Sequence, residues 1–160
     1  MRKFEKISFE QFSKDIEDNI DLYDSYHLPT RSTSGSAGYD YESIIDFVLL
    51  PGEIINVPLG VKASMNEDEV LFNIVRSSMG IKYNVRMCNQ VGVIDGDYYN
   101  NENNEGHIWV RLENHGDKDY VVKKGDRICQ GIFIKYLTVD DEEQVNKKRT
   151  GGYGSTDRRN

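Results

Sequence analysis

From Ile44 onward the chain is cut into short β-type runs by turn signals, and this punctuation limits the available folds more than any other feature. Ile44 to Leu50 ends at Pro51-Gly52, Ile54 to Met65 ends at Asn66-Glu67-Asp68, and Val70 to Val75 follows. Ile108, Val110 and Leu112 alternate with Trp109, Arg111 and Glu113, the period of two of a strand with one buried face. Asn114-His115-Gly116-Asp117 reads as a turn, and Arg127 to Leu137 as another strand. Short strands at such spacing favour an all-β sandwich or barrel. One short helix is expected near residues 9 to 17, because Ser8-Phe9-Glu10-Gln11 has the form of a capping box and Phe9, Phe12 and Ile16 follow at helical spacing. No second helix is convincing.

With 160 residues and 38% hydrophobic content, the chain has room for one compact domain and its core. Lys and Arg number 20 against 27 Asp and Glu, a net charge of -7, which argues against direct nucleic-acid binding, since that depends on clustered basic surface. A single nucleotide is different, because a few local cations and a metal ion suffice for one triphosphate. No run approaches the ~20 apolar residues of a membrane span, so a soluble, intracellular protein is expected. Cys88 and Cys129 stand apart without metal or disulfide spacing and read as small buried residues. His27, His107 and His115 share no metal-ligand spacing and read as surface residues.

Two segments depart from the β pattern. Residues 100 to 106, Asn-Asn-Glu-Asn-Asn-Glu-Gly, read as a solvated loop between strands. From Thr138 the chain turns acidic, then basic, then Gly-rich, and offers nothing to bury. A domain over 1–146 followed by a mobile tail over 147–160 is the expected division. The stretch Gly151-Gly152-Tyr153-Gly154-Ser155-Thr156 is no P-loop, lacking the Lys before Ser/Thr and a following helix. Taken alone, it reads as a flexible end.

Five segments taken in order carry more. Ser36-Ala37-Gly38-Tyr39-Asp40, Arg76-Ser77-Ser78-Met79-Gly80, Asn89 through Tyr98, Gly125-Asp126-Arg127-Ile128-Cys129-Gln130 and Arg149 through Thr156 resemble the five motifs of the trimeric dUTPase family. Each alone is weak; five in order over nearly the whole chain are specific. The resemblance implies an all-β jelly-roll-like domain with one short N-terminal helix, assembled as a homotrimer with sites at subunit boundaries. It implies hydrolysis of dUTP to dUMP and pyrophosphate, which keeps uracil out of DNA and supplies dUMP for thymidylate synthesis.

The resemblance also assigns roles. Arg76, Ser77 and Ser78 combine a cation with hydroxyl donors, a fit for phosphate oxygens, where the bland reading is a surface turn. Asn89, Gly92, Val93 and Ile94 would form a β-hairpin that pairs with uracil through main-chain groups and leaves no space for a thymine methyl. Asp95 is the implied general base that activates water for in-line attack on the α-phosphorus. Tyr98 would lay its ring against the deoxyribose, and Asp97 reads as a loop-stabilising carboxylate rather than a second base. Gln130 would fix phosphate oxygens or a metal-bound water, against an ordinary strand role. Mg²⁺ carried by the phosphates is the implied cofactor, with Asp40 reaching it only through water. In the tail, Tyr153 would stack on uracil while Arg149, Gly154, Ser155 and Thr156 enclose the phosphates as a lid.

Some positions depart from the family pattern. Val75 stands where proline is common before Arg-Ser, Tyr153 replaces phenylalanine, Asp157 replaces glycine, and Arg149 sits one residue nearer the aromatic than usual. Asn84 occupies a common glycine position, suited to φ > 0. Two rivals remain at this level. A dCTP deaminase also carries Arg-Ser-Ser but needs a carboxylate poised at the base ring, and a regulatory protein with an unknown partner could keep the fold without the activity.

Overall fold

The computed structural model describes residues 1–143 and Gly152. Eleven strands are present among the described residues: β1 (Lys3–Lys6), β2 (Tyr39–Glu42), β3 (Phe47–Leu49), β4 (Ile54–Pro58), β5 (Val61–Ser64), β6 (Glu69–Ile74), β7 (Val85–Met87), β8 (Gly92–Asp95), β9 (Trp109–Asn114), β10 (Tyr120–Val122) and β11 (Arg127–Lys135). Three short helices accompany them: α1 (Phe9–Asp15), α2 (Ile20–Ser25) and α3 (Ser77–Tyr83). A four-stranded sheet runs β2-β11-β6-β8, a three-stranded sheet β4-β9-β7, and two pairs, β1-β5 and β3-β10, complete an antiparallel arrangement of the jelly-roll type.

The alternating segment behaves as its period demands. Ile108, Val110 and Leu112 are buried, and Arg111 between them is exposed. β11 breaks the alternation, since Ile128 and Cys129 are both wholly buried; its register against β2 slips between Arg127 and Cys129, and a bulge turns consecutive side chains to one face. The expected run from Ile54 to Met65 is two strands rather than one. It is split at Gly60, whose φ of +66 breaks the extended chain and whose missing Cβ leaves space for Ile44 Cδ1 and the Tyr26 ring.

Helix α1 lies where its capping signal puts it, with Ser8 accepting from the Gln11 N–H at 3.1 Å. The reciprocal half of the capping box comes from elsewhere: Gln11 donates to Asp15, and the Ser8 N–H donates to Glu105 Oε2 at 3.0 Å. Two further helices stand beyond the single one expected. α2 is capped by Asn19, which accepts from the Leu22 N–H at 3.0 Å, and α3 ends at Asn84 with φ +52. That left-handed residue stands where the family resemblance implies glycine.

Two burial expectations are corrected. Cys129 is buried, and burial pushes its thiol pKa up, but Cys88 is exposed because it sits in the turn after β7. His107 is wholly buried: its Nε2 accepts from the Gly60 N–H at 3.0 Å and its Nδ1 stands 2.6 Å from Asp15 Oδ2. Nε2 must carry a lone pair to accept that bond, so the ring is the neutral Nδ1–H tautomer. His27 and His115 are exposed as expected. No helix among the described residues is long and apolar enough to cross a membrane.

Candidate active site

The sheet β2-β11-β6-β8 carries two groups of predicted site residues, one at each edge. At the β2 edge, Asp40 pairs across to Gln130, and Gln130 to Ile74, which stands two residues before Arg76. The first, second and fourth motifs therefore meet. Asp40 Oδ1 is 3.1 Å from Arg76 Nε, while its Oδ2 accepts from Ser32 Oγ at 2.5 Å and lies 3.3 Å from an Arg127 guanidinium nitrogen. Arg127 also donates to Ser32 Oγ at 2.8 Å. Asp40 is buried, whereas Arg76 and Arg127 keep side-chain exposures of 32% and 41%, so each guanidinium is anchored on one side and open on the other. Gly38 has a specific reason to be glycine, because a Cβ there would lie 2.1 Å from Gln130 Oε1. Ser77 and Ser78 begin α3 beside this cluster, Ser77 exposed and Ser78 half-buried.

At the β8 edge, Asn89, Gly92, Val93, Ile94, Asp95 and Tyr98 line a cleft of about 150 Å³ together with Ile108, Trp109 and Gly152. The strands on either side of the expected hairpin do not pair with each other: β7 joins β9 in one sheet and β8 joins β6 in the other. The connection is a tight turn, with Gln90 at φ +62 and its N–H donating to Met87 O at 2.9 Å, and it carries the chain between sheets. Residues 89 to 91 thus lie outside the strand ladders, and Asn89 lines the cleft. Gly92 keeps close contact with Asn73 and Met87, where a Cβ would lie 3.3 Å from each. Asp95 is half-buried at the end of β8, and Asp97 is exposed. Gly152 rests on the Tyr98 ring, where a Cβ would approach Cε2 to 2.9 Å. Arg149, Tyr153, Gly154, Ser155 and Thr156 lie outside the described residues.

The two groups do not meet within one chain. Asp40 and Asp95 sit three strands and four residues apart in register, roughly 20 Å by strand geometry.

Tyr98 is buried, and the Asn-rich loop that follows it is solvated in part, with Asn100, Glu102 and Asn103 exposed, but Asn101 and Gly106 are turned inward. Asn101 is buried, its Nδ2 donating to Tyr98 O at 2.8 Å; Asn104 Nδ2 donates to the Tyr98 hydroxyl at 2.8 Å. Sequence reasoning passed over Trp109 and Arg127. Trp109 was legible as a large aromatic on the outward-facing side of β9, beside Arg111 and Glu113; Arg127 lay inside a motif but had no role assigned by its spacing.

Comparison with known proteins gives a consistent result. The dUTPase family model matches residues 24–157. A deoxyuridine 5'-triphosphate nucleotidohydrolase of Lactococcus lactis is 47% identical over 131 residues, covering 81% of this chain and 87% of the relative. One from Desulfitobacterium hafniense is 35% identical, covering 81% and 86%. Among solved structures, the dUTPase from Streptococcus mutans superposes with a TM-score of 0.69 at 40% identity, over 86% of this chain and 98% of that one. A phage phi11 dUTPase, described with a structural Mg(II) ion, shares the fold at a TM-score of 0.65 and 18% identity, over 92% and 97%.

Proposed function

This chain belongs to the dUTPase family, and from that premise we propose that it hydrolyses dUTP to dUMP and pyrophosphate at sites completed between copies of the chain in a homotrimer. The observation that carries the composite site is the separation of its halves: a cation-bearing edge and a base-sized cleft stand roughly 20 Å apart on one sheet. A single nucleotide that uses both must draw them from different copies.

In this reading uracil enters the β8 cleft and pairs with main-chain groups between Asn89 and Ile94. Tyr98 covers the deoxyribose, and Trp109 lines the same cleft. Arg76, Ser77, Ser78 and Gln130 of a neighbouring copy hold the phosphates. Charge-assisted bonds from Arg76 suit this task, since its Nε is fixed on Asp40 while the rest of the guanidinium faces outward. Asp95 accepts a proton from the water that attacks the α-phosphorus in line, and the pyrophosphate leaves from the opposite side. The tail residues Arg149, Tyr153, Gly154, Ser155 and Thr156 close over the bound nucleotide and exclude water.

The donor set fits a Mg²⁺ carried by the phosphates. Among the described residues no group of three or more His, Cys, Asp or Glu stands ready to cage a metal, and both oxygens of Asp40 are already engaged, which leaves it a contact through water. When bound, the cation neutralises triphosphate charge.

The test is pyrophosphate release from dUTP, dCTP, dTTP and UTP with Mg²⁺, followed by subunit mixing. We expect dUTP to be cleaved far faster than the other three. Asp95→Asn and Arg76→Ala trimers should each be strongly impaired and regain part of the activity when dissociated and reassembled together, since some sites then receive both native halves. Equal rates on dUTP and UTP would remove the substrate assignment, and no recovery on mixing would remove the composite site.

A further inference from the structure

We propose that Asn104 is a positioning residue for Tyr98, holding its ring in the orientation that separates deoxyribose from ribose, so that the Asn-rich loop is a specificity element. The proposal rests on the functional reading above and adds to it a residue outside the five motifs. The Tyr98 hydroxyl is held from both sides: it donates to His107 O at 3.0 Å and accepts from Asn104 Nδ2 at 2.8 Å. A phenol with its proton and a lone pair both engaged cannot swing about its side-chain bonds without breaking two hydrogen bonds in a buried setting.

The loop is built to keep Asn104 in place. Asn104 Oδ1 accepts from Asn101 Nδ2 at 2.9 Å and from the Gly106 N–H at 3.1 Å, so its amide cannot flip without losing them. Asn101 Oδ1 accepts from the Asn103 and Asn104 N–H groups at 3.0 and 3.2 Å, while its Nδ2 grips Tyr98 O. The loop thus holds Tyr98 by its main-chain carbonyl and by its hydroxyl. Its closing residue, Gly106, has φ +82 and comes so near Tyr98 that a Cβ would stand 2.6 Å from the Tyr98 carbonyl oxygen. Glu105 secures the outside, accepting from the Ser8 N–H at 3.0 Å and from Lys62 Nζ at 3.2 Å. A mere connection between β8 and β9 needs none of this. A ring that must refuse a single extra hydroxyl does, because a small tilt would open room for it.

The experiment compares Asn104→Ala, Tyr98→Phe and the double variant as full chains. It reads kcat/KM for dUTP over UTP, the affinities for both nucleotides from the fluorescence of Trp109, the single tryptophan, and thermal unfolding. Each single variant should lower the dUTP-to-UTP ratio about five- to tenfold, the worth of one hydrogen bond to a buried hydroxyl. The double variant should lower it no further than Tyr98→Phe alone, since phenylalanine already lacks the hydroxyl that Asn104 holds. A residue that only stabilises the loop would lower the melting temperature without moving the ratio. A ratio within twofold of wild type in a folded Asn104→Ala variant overturns the proposal, as does an undiminished effect of Asn104→Ala in the Tyr98→Phe background. Should Asn104→Ala not fold, Tyr98→Phe decides alone, because it leaves the loop's own bonds intact and an unchanged ratio there is equally fatal. An inactive wild type would count against the functional reading, while the ratio of the two affinities would still judge Asn104.

Discussion

In the proposed site, the two edges of the sheet β2-β11-β6-β8 serve one substrate by opposite means. At the β2 edge a buried carboxylate, Asp40, holds two guanidiniums, and order comes from ion pairs that leave each cation half-open to a phosphate. At the β8 edge neutral amides, a buried histidine and the backbone of a tight turn supply order. The difference follows from what each edge has to recognise. Phosphate is the same in every nucleotide, so strength matters there and charge supplies it. Base and sugar differ by single groups, so shape matters, and rigid uncharged bonds supply that.

The largest expected effect separates chemistry from recognition at the β8 edge. Asp95→Asn keeps the shape of the side chain and removes its proton acceptor, so turnover should fall on the order of 10²-fold or more while dUTP still binds. Steady-state kinetics alongside a Trp109 fluorescence titration checks it, and unchanged turnover would falsify the role of Asp95. Next in size, Arg76→Ala should cost kcat/KM for dUTP on the order of ten- to a hundredfold, the range of a charge-assisted hydrogen bond. Affinity for deoxyuridine, which has no phosphate, should stay the same. Weakened deoxyuridine binding would mean that the edges do not divide the substrate as described.

The smallest effect concerns pH and the anchoring of the β8 edge. Burial lowers the His107 pKa from its ordinary 6.5, with Asp15 pulling in the opposite direction. The unfolded chain therefore binds the proton more readily than the folded one, so the contribution is fully present above about pH 6.5 and is lost as pH falls. Protonating Nε2 also breaks the bond from the Gly60 N–H. Thermal unfolding between pH 5 and 8 should show a melting temperature lowered by a few degrees at the acid end, with a shallower slope in His107→Gln. An identical slope in that variant would assign the acid lability to other groups.

Legibility in the sequence followed the range of the interactions. Ser8 was readable as a cap because it acts within one helical turn, and Asn84 as a left-handed residue because the family resemblance implies glycine there. β9 was readable because alternation is a property of the strand itself. α1, no longer than α3, was readable through its Ser8 cap and its spaced apolar residues, whereas α3 has no side-chain cap at Arg76 and α2 buries no residue that would mark a stripe. Of the site, the β8 residues from Asn89 to Tyr98 form a contiguous run and were named together, whereas Arg127 and Trp109 gain their places only through cross-strand packing. Asn100 to Gly106 misled for the same reason: Asn is a turn residue by composition, and only the fold shows whether its amides face water or each other.

The sequence by itself determined the β character of the chain, the alternation of β9, the cap of the first helix and several of the turns, because those depend on neighbours a few residues away. Only the tertiary structure decided that His107 is buried against Asp15, 92 residues distant, that Asp40 takes Arg76 and Arg127, and that the two halves of the site lie at opposite edges of one sheet. Those outcomes rest on strand register and on burial, and burial sets the cost of leaving a polar group without its partner. A histidine, an asparagine or a tryptophan looks alike in sequence whether the fold turns it inward or out.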